Sequence, residues 1–214
     1  FRLSCKFLTS KDAEGCIRFH VDGARGYDVL LHNGAMDGSR KTGSLASVRN
    51  LYRSLAHDSV WTDLEVCVRG QNVTVAVGGT EVVCYTQPAA PYRTEAHAGQ
   101  LLGKGRVVFA TQKGQISVKD LSLKPLADDA TNPCDTLPLV DEQSDGIIRL
   151  QQMDFPVIDY HVHLKGGLTK EEAHALSMRY GINYGVAPNA GEGGVGRMLA
   201  NDEEVRAYLQ EVQP

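Results

Sequence analysis

Cysteine is scarce in this chain: five in 214 residues, at positions 5, 16, 67, 84 and 134, and no two in C-x-x-C spacing. That removes the zinc knuckle and the C-x-x-C redox pair, whose sulfurs need that spacing to chelate or exchange. Buried thiols are the plain reading, and one bridge, Cys5 to Cys16, stays open if the two lie on paired strands. Long apolar runs are missing too. None approaches the roughly 20 residues that cross a bilayer, so no membrane-spanning segment is expected. The opening "FRLSCKFLTS" lacks the charged-then-apolar order of an export signal and begins at Phe1 directly on strand-like alternation. The expectation is that the gene starts earlier and that any export signal was lost with that start. Excess charge is absent as well: 22 Lys and Arg against 26 Asp and Glu leave a net charge of -4. Such a balance offers no electrostatic reason to expect nucleic acid or an anionic membrane as partner.

The first 126 residues also lack a long helical period. They carry short alternating runs between glycine-rich turns, the pattern of an antiparallel all-β domain. "GCIRFHVDG" sets Ile17, Phe19 and Val21 against Cys16, Arg18 and His20, and "GYDVLLHNG" sets Tyr27, Val29 and Leu31 against Asp28, Leu30 and His32. "WTDLEVCVRGQNVTVAVGGTEVVCY" reads as three strands turned at Arg69-Gly70-Gln71-Asn72 and at Gly78-Gly79, with Leu64, Val66, Val68, Val73, Val75 and Val77 on the core face. In "GRVVFATQKGQISVKDLSLKPL" the apolar register passes from Ile116 and Val118 to Leu121 and Leu123, which a bulge near Asp120 explains. The fold class expected is mainly β, two antiparallel sheets packed as a β-sandwich.

Residues 127–154 are rich in Asp, Pro, Thr and Ser without sustained periodicity and read as a linker. From 155 to 214 the grammar becomes strand, helix, strand, helix. Thr169 with Glu172, and Asn201 with Glu204, are helix-opening capping pairs, and Gly181 is a helix stop. That β-α-β-α order belongs to parallel-sheet α/β folds. Two domains, 1–126 and 155–214, follow.

Two groups of residues point to chemistry. Asp159, His161 and His163 recur at period two on one strand face, where imidazole nitrogens two residues apart can reach one divalent metal. The plainer alternative is ordinary surface or core histidines. Arg18, His20, Asp28 and His32 line one face of adjacent strands in the β domain, where polar groups can meet a sugar, although antiparallel sheets commonly face water on one side. Trp61 is either a sugar-stacking platform or a core residue at a strand start. Ser44 lacks a G-x-S-x-G elbow and reads as a turn residue. "GEGGVG", 191–196, formally matches G-x-G-x-x-G but lacks the strand context of a nucleotide site and reads as a loop. His174 faces out of its helix.

"EGCIRFHVDG", "GYDVLLHN", "KTGSL" at 41–45, "WTDLEVCVRGQNVTVAVGGTEV" and the closing "GQISVKDLSLKPL" together resemble, in order and spacing, the 3-keto-disaccharide hydrolase domain. The resemblance implies a concanavalin-like jelly roll and cleavage of glycosides already oxidised at C3. It implies a carbohydrate partner and a periplasmic or secreted bacterial protein, with His32 or His20 as base, Asp28 orienting it and Arg18 holding an enolate. The sequence has Asp28 where that family usually has Glu, and Val118-Lys119-Asp120 where it has an aromatic-Arg-Asn step. "DYHVHL" resembles the first strand of amidohydrolase and PHP-type metal-dependent hydrolases. That implies the first two β/α units of a TIM-like barrel and a Zn or Mn site on Asp159, His161 and His163. The alternative function is a non-catalytic carbohydrate-binding module attached to a metal-dependent hydrolase. Oligomeric state is not readable from the sequence.

Overall fold

The computed structural model describes residues 1–34, 40–127, 145–153, 155–190 and 198–212. It divides into two compact units, Phe1–Val157 with Met178–Gly181, and Ile158–Ser177 with Ile182–Pro214.

The first unit is built of eight strands: β1 (Arg2–Thr9), β2 (Glu14–Asp22), β3 (Arg25–Leu31), β4 (Thr62–Arg69), β5 (Asn72–Val77), β6 (Thr80–Thr86), β7 (Arg106–Lys113) and β8 (Ile116–Lys124). They make a five-stranded sheet in the order β6-β5-β4-β1-β8 and a three-stranded sheet in the order β3-β2-β7, antiparallel throughout. The alternation read from the sequence is the reason they stack. Leu3, Cys5, Phe7, Leu64, Val66, Val68, Val73, Val75 and Val77 come from one sheet and Ile17, Phe19, Tyr27, Val29 and Leu31 from the other, and all are buried in one core. Burying each large apolar side chain contributes about 1.5–3 kcal/mol, offset by the entropy of ordering the chain.

Both predicted hairpins form. Arg69 pairs with Asn72 across Gly70-Gln71, and Val77 pairs with Thr80 across Gly78-Gly79. Both of these last glycines have positive φ, 59° and 83°, as a two-residue primed turn requires. The bulge near Asp120 is also present. The β1–β8 register skips between Ser4 and Lys6, and Asp120 has a φ of 53°. Cys5 and Cys16 are free thiols and buried, not bridged, and burial pushes each up to about 11. Cys134 and the 191–196 loop lie outside the described residues.

Inside the stretch read as linker, α1 (Asp145–Gln152) is helical. Its Ile148 is fully buried in the sandwich core. Gln151 meets Asn50 twice, its Oε1 accepting from the Asn50 backbone N–H and its carbonyl from Asn50 Nδ2, at 2.8 and 2.9 Å. One apolar turn and long-range amide contacts hold this helix, and 8 residues are too few for a sustained period in the sequence.

The second unit follows the predicted strand–helix order. Parallel strands β9 (Ile158–Val162) and β10 (Asn183–Val186) flank α2 (Lys170–Tyr180), with the two-residue strands β11 (Asn189–Ala190) and β12 (Met198–Leu199) before α3 (Asp202–Val212). The capping pairs are made. Thr169 N–H donates to Glu172 Oε2 at 2.8 Å and Glu172 N–H to Thr169 Oγ1 at 3.1 Å, while Glu204 N–H donates to Asn201 Oδ1 at 3.0 Å. Gly181 ends α2 with a φ of 70°. Two parallel strand pairs, β9–β10 and β11–β12, are what the described residues supply; they contain no closed barrel. Among them no helix is long and apolar enough to cross a membrane.

Candidate functional site

On β2 and β3, Arg18 and Asp28 are direct cross-strand partners, and alternation turns both away from the core that Ile17, Phe19, Tyr27 and Val29 enter. Arg18 Nε donates to Asp28 Oδ1 at 2.7 Å, with the side chains 42% and 29% exposed. The bond and the carboxylate's charge raise the Arg18 pKa, so the guanidinium stays cationic. Among the described residues its two terminal nitrogens and Asp28 Oδ2 have no hydrogen-bond partner, so both polar groups present a free edge to the same open face. Val108 lies across from Arg18 on β7 and Leu30 across from Cys16. Cys16 is buried beside the pair. Burial, and then the charge of Asp28, hold its thiol up at about 11, which makes it an inert floor rather than a nucleophile.

Residues 42–46 extend this sheet along β3. Gly43 N–H donates to Leu30 O at 2.9 Å, Leu30 N–H to Ser44 O at 3.0 Å, and Ala46 N–H to Asp28 O at 2.9 Å. Ser44 is fully buried and its Oγ accepts from Leu51 N–H at 2.9 Å, the turn-closing role read from sequence.

The predicted quartet does not assemble. His20 sits in a bulge: β2 loses register with both neighbours around it, and its φ of 55° takes it out of alternation. Its ring packs edge-on against Phe1 and Phe19, at 5.5 and 5.6 Å, and its Nδ1 accepts from Gly103 N–H at 3.2 Å. Val21, placed on the core face by strict alternation, is only half-buried for the same reason. His32 keeps the outward parity of Asp28 but lies four residues on, about 13 Å at strand rise. A Cβ added at Gly34 would lie 2.7 Å from its Nε2. Trp61 is neither core nor beside Arg18. It is 39% exposed with Lys119 Nζ 4.2 Å from its ring centre, and Lys119 belongs to the five-stranded sheet.

The sequence reading missed the segment that borders Asp28 from outside. Gly99 O accepts from Gly26 N–H at 2.9 Å, and Gln100 Nε2 donates to Ala46 O at 3.1 Å. "PYRTEAHAGQLLGKG" has no alternation to flag it. Arg93 anchors it, donating from Nε to Gln100 O at 2.8 Å and from Nη2 to the hydroxyls of Tyr27 and Tyr85 at 2.7 and 3.0 Å.

Burial lowers the His20 pKa, and burial with the charges of Arg40 and Arg93 lowers that of His97. A histidine held neutral in the fold takes up protons on unfolding. This contribution to stability is therefore fully present above the ordinary histidine value of about 6.5 and is lost as pH falls below it toward the depressed folded values. Urea midpoints of the native protein should fall from pH 7 to pH 5, and the H20N/H97N double variant should flatten that dependence.

In the second unit His161 Nε2 and His163 Nε2 converge to 2.8 Å, with ring centres 4.5 Å apart and edge-on. Asp159 is not part of the cluster: its Oδ1 accepts from His161 backbone N–H at 3.2 Å. Among the described residues no group of three or more His, Cys, Asp or Glu is placed to hold a metal ion.

Comparison with known proteins places these observations. The model of the 3-keto-alpha-glucoside-1,2-lyase-like domain matches residues 1–124. No curated protein matches the chain. Two solved structures, both described as candidate glycosyl hydrolases of Parabacteroides distasonis ATCC 8503, are similar. One has a TM-score of 0.48 at 11% identity and covers 56% of this chain and 69% of its own. The other has 0.36 at 12%, covering 39% and 49%.

Proposed function

We propose, from the premise that the chain belongs to the family of 3-keto-alpha-glucoside-1,2-lyase-like domains, that it cleaves glycosides carrying a ketone at C3, with Asp28 and Arg18 as the working pair. The observation that carries this reading is the free carboxylate oxygen and the free guanidinium edge, held 2.7 Å apart at their joined atoms on one open face.

A ketone at C3 makes the C2 proton acidic. Asp28 Oδ2 takes that proton, and the C2–H electron pair becomes an enolate whose oxygen the Arg18 terminal nitrogens hold. Collapse of the enolate forms the C1–C2 double bond and breaks the bond from C1 to the glycosidic oxygen, which leaves with both electrons and takes up a proton. The products are an unsaturated 3-keto sugar and a free alcohol. Addition of water across the new double bond makes the net reaction a hydrolysis. Arg18 acts as a fixed positive charge beside the enolate oxygen, an effect largest where charge develops. His20 and His32 have no part in this step.

The test is turnover of a 3-keto-disaccharide by the native protein and by D28N. The competing reading, a non-catalytic carbohydrate-binding module, gives no turnover in either and weaker sugar binding in the variant.

A second activity is favoured by the 2.8 Å approach of the His161 and His163 nitrogens. Two imidazoles so placed fit as neighbouring ligands of one Zn or Mn, and the fit extends to them alone, because Asp159 is turned to its own backbone. A bound ion there would supply Lewis-acid polarisation, and the two Nε2 atoms would hold it in place of their contact with each other. In isothermal titration with zinc chloride the native protein should bind, and H161A/H163A should lose that binding. Equal heats from both proteins would dismiss the site.

A further inference from the structure

Around Asp28, β3 is held by backbone that belongs to no regular strand. On the outer edge of β3, Ala46 N–H donates to the Asp28 carbonyl at 2.9 Å, and Ala46's own carbonyl accepts from Gln100 Nε2 at 3.1 Å. Two residues back along β3, Gly26 N–H donates to Gly99 O at 2.9 Å. Gly99 therefore grips β3 two residues before the catalytic carboxylate's strand position, and Gln100 reaches that position through Ala46. The grip is itself fastened to the core. Arg93 donates to Gln100 O, to Tyr92 O and to the hydroxyls of Tyr27 and Tyr85. Gln87 Oε1 accepts from Tyr27 hydroxyl at 2.7 Å and from Leu102 N–H at 2.9 Å. Tyr27 and Tyr85 are almost wholly buried, and Tyr27 neighbours Asp28 in the chain.

Tyr27, Tyr85 and Gln87 are polar groups buried at the margin of an apolar core. Leaving a buried hydroxyl or guanidinium unpaired costs more than an apolar replacement would, so such a network is justified by geometry rather than by stability alone. Its members meet at one place, the strand edge carrying Asp28.

We infer that Gln100, anchored by Arg93, is a positioning residue for Asp28, fixing the β3 edge so that the free carboxylate oxygen faces the C2 proton while Arg18 faces the enolate oxygen. This rests on the proposed role of Asp28. Gln100 touches no reacting atom in this account. It acts through Ala46, and its contribution is the amide N–H it donates.

The experiment compares Q100A, Q100E and Q100K with native protein and D28N on a 3-keto-disaccharide, with thermal melts of each. A misplacement of about 1 Å costs on the order of 100-fold in rate. Q100A and Q100E, which lack the donor, should lose about 10- to 100-fold in kcat with KM within about threefold and with melting temperature little changed. Q100K, which keeps an N–H donor of similar reach, should recover most of kcat. Should D28N lose activity while Q100A and Q100E keep native kcat, the positioning role is overturned and the role of Asp28 stands. Loss of kcat in all three Gln100 variants in proportion to lost melting temperature would likewise overturn it, as a purely structural effect. If D28N itself keeps native turnover, the functional reading fails first.

Discussion

Replacing Asp28 by Asn should lower kcat toward a 3-keto-disaccharide by about 100- to 10,000-fold, the span of a lost general base, while the melting temperature stays close to native. Asn keeps the size of the carboxylate and an oxygen to accept from Arg18 Nε, so the cross-strand contact survives in shape. It cannot take a proton from carbon at neutral pH. Arg18→Met should fall by about 100- to 1,000-fold, the cost of removing a donor from a developing oxyanion. The two losses should not add in the double variant, because the carboxylate and the guanidinium act on one transition state and orient each other. The pair is partly exposed, so its contribution to folding is small and the variants remain folded. Steady-state kinetics and melts on the same preparations check all three statements.

Gly43→Ala should destabilise the sandwich strongly for a change of one methyl group. Gly43 has a φ of 90°, and a Cβ built there lies 2.9 Å from both Val77 Cγ2 and Val82 Cγ2 and 3.3 Å from Leu51 Cδ1. The backbone penalty is about 1–2 kcal/mol. Overpacking against stiff β-branched neighbours adds about 1–3 kcal/mol. For a chain of this size the sum corresponds to a fall in melting temperature of roughly 5–15 °C. Gly23→Ala is the control: its φ is 58° but nothing lies within 4 Å of an added Cβ, so only the backbone penalty applies. Because Gly43 N–H holds Leu30 O in the edge that also carries Asp28, the first variant should lose activity with stability and the second should keep it.

Those two glycines show what sequence could and could not say. Period-two alternation exposed the core faces of β1, β3, β4 and β5, and the Gly78-Gly79 turn and the Asp120 bulge followed from local chemistry. Arg18 and Asp28 were found the same way, since alternation settles face and a short turn settles register. His20 was misplaced because the β2 bulge breaks the alternation just after Phe19, and no glycine or proline marks it. His32 shares the right face, but a face says nothing about distance along a strand. Trp61 stayed open between a sugar platform and the core, because alternation does not say which sheet a strand joins. Gln100 and Arg93 were invisible because neither sits in a periodic run, and the bonds that tie them to Ala46 and Tyr27 span 54 and 66 residues. Helix α1, at 8 residues, is too short to show a sustained period.

The most direct measurement is product analysis after incubating native protein with a 3-keto-glucoside and, separately, with its parent bearing a hydroxyl at C3. Without the ketone the C2 proton is not acidic, and a carboxylate facing it has nothing to do. The alcohol should be released from the keto substrate and not from the parent. Equal release from both would mean that the bond is broken by protonation at the glycosidic oxygen rather than by proton removal at C2, and would contradict the role given to Asp28 and Arg18.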